Sequence, residues 1–532
     1  MTNYLLIASI VIILSIFTSK LSQKIGIPGL LLFIGLGLLF GSDGLVQINF
    51  DNYKFAEETC SVALIFIMFY GGFGTRWKTA KPVAKKALLL SSFGVLITAF
   101  LVGLFCFFII RISLLESFLI GAVISSTDAA SVFSILKSKK LALKDQSSSM
   151  LELESGSNDP TAYMLTLIIL ELMNGSTSPG RYAFMIAAQF IVGIVCAITL
   201  AYISIYLYKK FQLKSDGLEI VFFVAMVFLS FSLPEQFGGN GYLSTYIFGI
   251  LIGNQQLKNK HVLINFFDGL TGLVQIYIFF ILGLLAFPSQ MPQIIGVALA
   301  ITVFLTLIVR PVSVFAILKP FGCSLNQIAL VSFAGIRGAS AIVFAIMATV
   351  NPAYLKNDIF HIVFCIVLFS IAIQGTLLSY IARKLDMIDT EGDISKTFSD
   401  YQEEGDVQLI RLPITKNHPW ISLQIKDLDL PPQMLVVTII KKKSALIPNG
   451  STRIEIGDIM VIAAPGSNDE VNVEVIEQKI TKQHSWNQKK IQSIKTDTNT
   501  LIAIIKREEK TIVPNGNTKI QENDILVIVN KM

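Results

Sequence analysis

From Met1 to about Ala382 the chain alternates apolar blocks of about 18–26 residues with short polar connectors, and a block that long matches a hydrocarbon core about 30 Å thick. Few folds satisfy that pattern. Within lipid every peptide group must bond inside the protein, so the blocks are expected to be helices, about thirteen of them. They begin near Tyr4, Ile27, Cys60, Ala87, Leu115, Leu151, Tyr182, Leu218, Gly241, Val262, Ile294, Gln327 and Ile359. Arg383 to Met532 reads instead as soluble protein. With 53% hydrophobic and only 15% charged residues, the 532-residue chain is too apolar for an ordinary soluble enzyme. The expected fold class is an all-α polytopic membrane protein with a β-rich α+β C-terminal domain.

Charge in the connectors sets an orientation. If the first helix runs from outside to inside, the inner connectors carry Lys20 and Lys24, Arg76 to Lys86, Lys137 to Lys144, Lys209 to Lys214, and Lys258 and Lys260. The outer ones carry little beyond Lys54, Arg111, Arg181 and Lys356. This is the positive-inside asymmetry, and it places the N-terminus outside and the tail in the cytoplasm. Met-Thr-Asn-Tyr has no basic region before the first block, which therefore reads as a retained helix rather than a signal peptide. The connectors account for the net charge of +6, so no nucleic-acid partner is expected. The five cysteines and four histidines fall at unrelated spacings, so no disulfide framework, resident metal or cofactor is expected.

The tail repeats itself. A shift of 66 residues aligns His418 with His484, Trp420 with Trp486, and Ile447-Pro448-Asn449-Gly450 with Val513-Pro514-Asn515-Gly516. It also aligns Asp458-Ile459-Met460-Val461-Ile462 with Asp524-Ile525-Leu526-Val527-Ile528. One register serves the whole match, so the tail is a duplication. Each copy predicts a β-branched strand, a Pro-Asn-Gly turn and a second strand entered through Asp, with a closing helix over 469–478 in the first copy alone. The expected domains are a membrane domain at 1–385, a linker at 386–404, a first tail copy at 405–480 and a shorter second copy at 481–532. Neither copy has a Gly-rich phosphate loop, and the tail serves either packing or a small-molecule regulator.

Few charges lie deep in the apolar blocks. Asp159 is about ten residues into its block, hence about 15 Å deep. Asp128, about thirteen residues into the preceding block, lies at similar depth. An ionisable group there is costly unless hydrated, paired or protonated, and is functional by default. Ser125, Ser126 and Thr127 surround Asp128, while Ser155, Gly156, Ser157 and Pro160 weaken the helix around Asp159. Carboxylate, hydroxyl, amide and unwound carbonyl oxygens suit a partly dehydrated alkali cation rather than a transition metal. Arg337, between Gly335 and Gly338, marks a second interrupted helix. With the seventh helix as a linker, the broken fifth and twelfth helices occupy corresponding positions in two halves of six, the hydropathy pattern of an inverted-repeat transporter. Glu154 and Arg337 are expected to form a buried ion pair between the halves. Arg310, before Pro311, reads as structural.

Ser126-Thr127-Asp128-Ala129-Ala130, Leu153-Glu154-Ser155-Gly156-Ser157-Asn158-Asp159-Pro160 and Gly335-Ile336-Arg337-Gly338-Ala339 resemble the bacterial monovalent cation:proton antiporters. Together with Asp268-Gly269-Leu270 they are similar to the potassium/proton, cell-volume-regulation branch. The tail resembles the C-terminal subdomain of potassium-conductance regulators. The resemblance implies a non-enzymatic exchanger of K+ for H+, with Na+ as the alternative cation, in the inner membrane. It also implies a homodimer in contact with lipid. Asp159 would bind proton or cation in turn, with Asp128, Thr127, Asn158 and Ser155 beside it. The Asn158-Asp159 pair implies electroneutral exchange. Departures are Tyr70 where an Asp is usual, Ser340-Ala341 after Arg-Gly-Ala where Val-Pro is usual, and the doubled tail. A regulated potassium channel is a distant alternative, without a Thr-Val-Gly-Tyr-Gly filter; a membrane sensor without flux is another.

Overall fold

The computed structural model describes residues 2–531 apart from 26–27, 129–130, 133–140, 176–178, 212–215, 256, 258–259, 354, 390–406, 415–417, 419, 429, 432–433, 442–443, 466–472, 481–483, 485, 495–499, 508–509 and 513. The chain forms two compact units, Met1–Glu403 and Glu404–Met532. Most of the linker expected at 386–404 lies outside the described residues.

The first unit is helical, and each anticipated block is a helix or a broken pair of helices. In chain order these are α1 (Thr2–Ile25), α2 (Gly29–Phe40), α3 (Tyr53–Gly74), α4 (Ala84–Ile110), α5 (Leu114–Val123), α6 (Ser147–Met173) and α7 (Pro179–Phe211). They continue as α8 (Asp216–Gln236), α9 (Gly241–Gly253), α10 (Lys260–Leu285), α11 (Met291–Phe321), α12 (Leu325–Phe333), α13 (Ala339–Val350) and α14 (Ile359–Lys384). Seven of the described helices are long and apolar enough to cross a membrane unaided; α2, α5, α9 and α13 are shorter apolar helices. The chain is therefore a multi-pass membrane protein. Helix α6, which carries Asp159, is outside both groups because it is polar along its first half. It is buried by its neighbours instead, from Ser147 through Thr161.

Small residues bring these helices into backbone contact, as expected where hydrophobic burial no longer separates helix from lipid. A Cβ on Gly249 would lie 2.5 Å from the Phe69 carbonyl oxygen, so α9 lies directly on α3. A Cβ on Gly283 would lie 2.9 Å from Gly37 Cα, joining α10 to α2 in the same way. A two-residue ribbon, β1 (Ala142–Leu143) with β2 (Ile388–Asp389), ties the connector before α6 to the chain after α14.

The tail unit holds two four-stranded antiparallel sheets. The strands are β3 (Val407–Pro413), β4 (Leu435–Lys441), β5 (Ser444–Leu446), β6 (Ile459–Pro465), β7 (Val473–Lys479), β8 (Thr500–Arg507), β9 (Lys510–Ile512) and β10 (Ile525–Lys531). Their orders are β3-β6-β4-β5 and β7-β10-β8-β9, one topology used twice. Two expectations are corrected here. Val473–Lys479 is a strand and not part of a closing helix, because it pairs with β10 from Val473↔Lys531 to Lys479↔Ile525. It is the counterpart of β3, so the second copy is as complete as the first and the boundary lies between Pro465 and Val473 rather than at 480/481. Among the described residues the tail has strands and single 3-10 turns but no α-helix.

The duplication extends to chemistry. Lys441 Nζ lies 3.6 Å from Asp458 Oδ2, and at the matching positions Arg507 Nε lies 2.7 Å from Asp524 Oδ1. Gly457 (φ +88°) and Asn523 (φ +68°) fill the same left-handed turn, where Asn is among the better-tolerated replacements for Gly. Burial pushes the Asp524 carboxyl up, but Arg507 and the Gln521 N–H outweigh that and hold it below the usual range. A depressed carboxyl contributes stability above its unfolded pKa of about 3.9, and that contribution is lost as pH falls through the folded value. Arg507→Ala is thus expected to lower the tail's resistance to proteolysis in the full chain at neutral pH, with the difference from wild type shrinking at acid pH. Equal proteolysis rates at pH 7 would contradict it.

Candidate ion site

The break after α5 and the break between α12 and α13 cross each other. Helix α5 stops at Val123; the Ile124 and Ser125 N–H groups close its last turn on the Ile120 and Ala122 carbonyls, and residues 126–128 continue without helical bonding. Ala334–Gly338 interrupts the second segment. Where they meet, the Asp128 N–H donates to the Ile336 carbonyl at 2.7 Å. Unwinding strands backbone groups and exposes helix dipoles, and both are compensated. Arg337 Nη1 donates to the Ser125 and Ser126 carbonyls at 2.7 and 2.8 Å, placing positive charge at the C-terminus of α5. Asp128 accepts from Ser131 and lies against Gly338, where a Cβ would overlap its carboxylate; this places negative charge at the N-terminus of α13. A widened turn of α14, Ser370–Gly375, braces the crossing: the Arg337 N–H donates to Ser370 Oγ at 2.9 Å, and Gln374 Nε2 to the Phe333 carbonyl at 3.1 Å.

Helix α6 runs past this crossing with Asp159 buried. Ser126 Oγ donates to Asp159 Oδ1 and lies 2.8 Å from Ser340 Oγ. Ser155 Oγ donates to the Thr127 carbonyl at 2.6 Å, and Asn158 Nδ2 to Thr127 Oγ1 at 2.5 Å. With its NH2 engaged there, Asn158 Oδ1 is a buried acceptor without a hydrogen-bond partner among the described residues. Such an orphan costs about 1–3 kcal/mol and calls for an explanation. Among the described residues no lysine, arginine or histidine pairs with Asp159. The site is a carboxylate lacking a countercharge, surrounded by hydroxyl and amide oxygens. Those donors fit a weakly hydrated monovalent cation, or a proton on the carboxylate.

The expected residues Asp159, Asn158, Ser155 and Thr127 do come together. Asp128 belongs to the same crossing, but its carboxylate is turned to Ser131 and the α13 N-terminus. The expected Glu154–Arg337 pair is corrected. Glu154 Oε1 accepts from Arg310 Nη2 at 2.5 Å, both side chains being buried, while Arg337 is engaged with the α5 carbonyls. Gly335 makes the exchange of partners possible: a Cβ there would lie 2.6 Å from Arg310 Nε. Ser126 and Ser340 complete the Asp159 environment. Ser340 stood out in the sequence only as part of the Ser340-Ala341 departure from the Val-Pro usual after Arg-Gly-Ala.

Two crossed broken helices beside a buried carboxylate that has no basic partner among the described residues are the architecture of an ion-coupled transporter. The model of the transmembrane sodium/hydrogen exchanger matches residues 8–384, and that of the TrkA-C domain matches 409–471 and 475–531. The chain belongs to the sodium/hydrogen exchanger family, whose activity is cation:proton antiport. It is 31% identical over 468 residues to the K(+)/H(+) antiporter NhaP2 of Shewanella baltica, covering 86% of this chain and 80% of that protein. It is 30% identical over 462 residues to the K(+)/H(+) antiporter NhaP of Alkalimonas amylolytica, with the same coverage of 86% and 80%. The sodium proton antiporter MjNhaP1 of Methanocaldococcus jannaschii shares the fold, with a TM-score of 0.63 at 23% identity over 72% of this chain and 99% of that one.

Proposed function

We propose that the protein exchanges potassium for protons across the bacterial inner membrane, with Asp159 carrying either ion in turn. The observation that carries this is the orphaned Asn158 oxygen beside a buried carboxylate that has no basic partner among the described residues. Asp159 bare is poorly tolerated away from water, so it crosses with a proton or a cation bound, and each excludes the other. That exclusion couples the two gradients. Asn158, Ser155, Thr127 and Ser126 supply oxygens or orient them. Asp128 and Arg337 compensate the helix ends rather than carry charge across. Since Asn158 is neutral, one carboxylate binds one charge in each direction, and exchange is electroneutral. The curated relatives named as K(+)/H(+) antiporters support potassium as the cation. Sodium is the second reading, favoured by the name of a more distant relative, the Na(+)/H(+) antiporter ApNhaP of Aphanothece halophytica at 23% identity.

The N-terminus lies outside and the tail in the cytoplasm, following the lysine-rich inner connectors, and the protein works as a homodimer in cation, pH and volume homeostasis. The doubled tail binds a small-molecule regulator. Everted vesicles carrying the protein, loaded with protons by respiration, test the central claim. Potassium is expected to dissipate the proton gradient more effectively than sodium, without generating a membrane potential. No dissipation by any monovalent cation across pH 6–9 (a range about the usual histidine and amine titrations) would sink it.

A further inference from the structure

Helices α6 and α9 meet along one seam. Gly156, Pro160 and Tyr163 of α6 face Asn240, Tyr242 and Tyr246 at the start of α9. A Cβ on Gly156 would lie 2.5 Å from the Tyr246 ring, and the Tyr163 and Tyr242 rings meet edge-on at 4.9 Å between centroids. Rings lying on glycine and on other rings make contacts without direction. One contact has direction: Asn240 Nδ2 donates to the Pro160 carbonyl at 2.9 Å, one residue beyond Asp159.

Asn240 is held rigidly on the other side. Its N–H donates to the Gln189 carbonyl of α7 at 3.1 Å, and its Oδ1 caps α9 by accepting the Leu243 N–H at 2.9 Å. Gly193 leaves room for this, since a Cβ there would lie 3.0 Å from the Asn240 carbonyl oxygen. The Glu235 carboxylate accepts the Gly241 N–H at 2.8 Å, fixing the loop that presents the residue. The amide orientation is forced, because the Leu243 N–H needs an acceptor and the Pro160 oxygen a donor. Helix α6, for its part, is tied to the broken helices and to α11 and α12 by Ser155–Thr127, Glu154–Arg310 and Gln327–Ser147. The α9 side is tied to α3 by backbone contact at Gly249.

We propose that Asn240 is a positioning residue of the exchange cycle: its bond to the Pro160 carbonyl registers the Asp159 helix against the α7–α9 frame in one end state and is released in the other. This rests on the exchange reading above. A bond present in only one state biases the two populations, and the apparent dissociation constant at each membrane face is the intrinsic one divided by the fraction of molecules open to it. The ratio of the potassium KM values at the two faces therefore carries the whole bias. One net hydrogen bond corresponds to about a fivefold change in that ratio.

The test is Asn240→Ser, measured for potassium/proton exchange in right-side-out and everted vesicles. Serine still caps α9 but is too short to reach Pro160. The expected result is a KM ratio moved about fivefold from wild type. A ratio unchanged, whether both KM values stay put or move together, overturns the proposal, as does loss of all exchange in a folded variant, which would place Asn240 in the ion site itself. If the serine variant fails to fold, Asn240→Thr, whose neutral hydroxyl also caps α9 and is likewise too short to reach Pro160, is read by the same ratio. Wild-type vesicles that exchange no potassium would remove the parent reading and this inference together, whereas an unchanged ratio beside active exchange removes this inference alone.

Discussion

Asp159→Asn is expected to bring cation-driven proton flux in everted vesicles down to the background of vesicles lacking the protein, while the variant still folds and inserts. Asparagine has the shape of the carboxylate, and its Oδ1 can accept the hydrogen bond that Ser126 now gives to Asp159 Oδ1. No other described contact of the site depends on the negative charge, and no described basic residue pairs with it. Removing a buried, unpaired charge costs the fold nothing and relieves a desolvation penalty. What is lost is the exchangeable proton and the anionic ligand at once, so neither half of the cycle remains. The informative comparison is Asn158→Ala, which deletes the orphaned amide oxygen but spares the carboxylate. It should raise the KM for the cation and leave proton binding possible. Flux from the Asp159→Asn variant equal to wild type, with comparable protein in the membrane, would show that the carboxylate is not the carrier.

Much of this site could be read from residue order because the bilayer restricts the choices. Thirteen blocks became helices at the expected places since lipid allows no other unpaired backbone. Two of the anticipated breaks formed, after Val123 and at Ala334–Gly338, whereas α6 runs as one helix through Ser155, Gly156, Ser157 and Pro160, where weakening was expected. Asp159, Asn158 and Ser155 lie within five residues on one helix, so their proximity is local geometry. Partners from distant segments were not legible. Arg310 and Arg337 are both buried arginines in apolar blocks, and nothing in the sequence says which one Glu154 meets. Asn240 reads as a loop residue between glycines until the fold lays it on Pro160. In the tail, Val473–Lys479 is short and mixed in polarity, and such a run fits either period. Only pairing with β10 decides it.

Arg310→Met is expected to be the most destabilising single change in the membrane unit, costing about 3–5 kcal/mol, because it strands Glu154 as a buried carboxylate without a cation. Detergent-solubilised protein should melt at a clearly lower temperature and aggregate on heating. Glu154→Gln in the same background should recover most of the loss, since the stranded charge is then gone and methionine fills the arginine's volume. Arg337→Met would also destabilise, but for a different reason: it leaves the Ser125 and Ser126 carbonyls uncapped at the end of α5. The two arginines therefore separate by coupling rather than by the size of the single effect. The Glu154→Gln/Arg310→Met cycle should give an interaction energy of about 2–3 kcal/mol, and the Glu154→Gln/Arg337→Met cycle well under that. If the larger coupling fell on Arg337, Glu154 would be bridging the two halves through the broken helix. The crossing would then be held by an ion pair, and Arg337 would not be free to compensate the α5 dipole. With the coupling on Arg310, stability and ion handling rest on different charges. The Glu154–Arg310 pair holds α6 to α11, and Asp159 one and a half turns further along is left without a fixed counterion, which is the condition for carrying exchangeable ones.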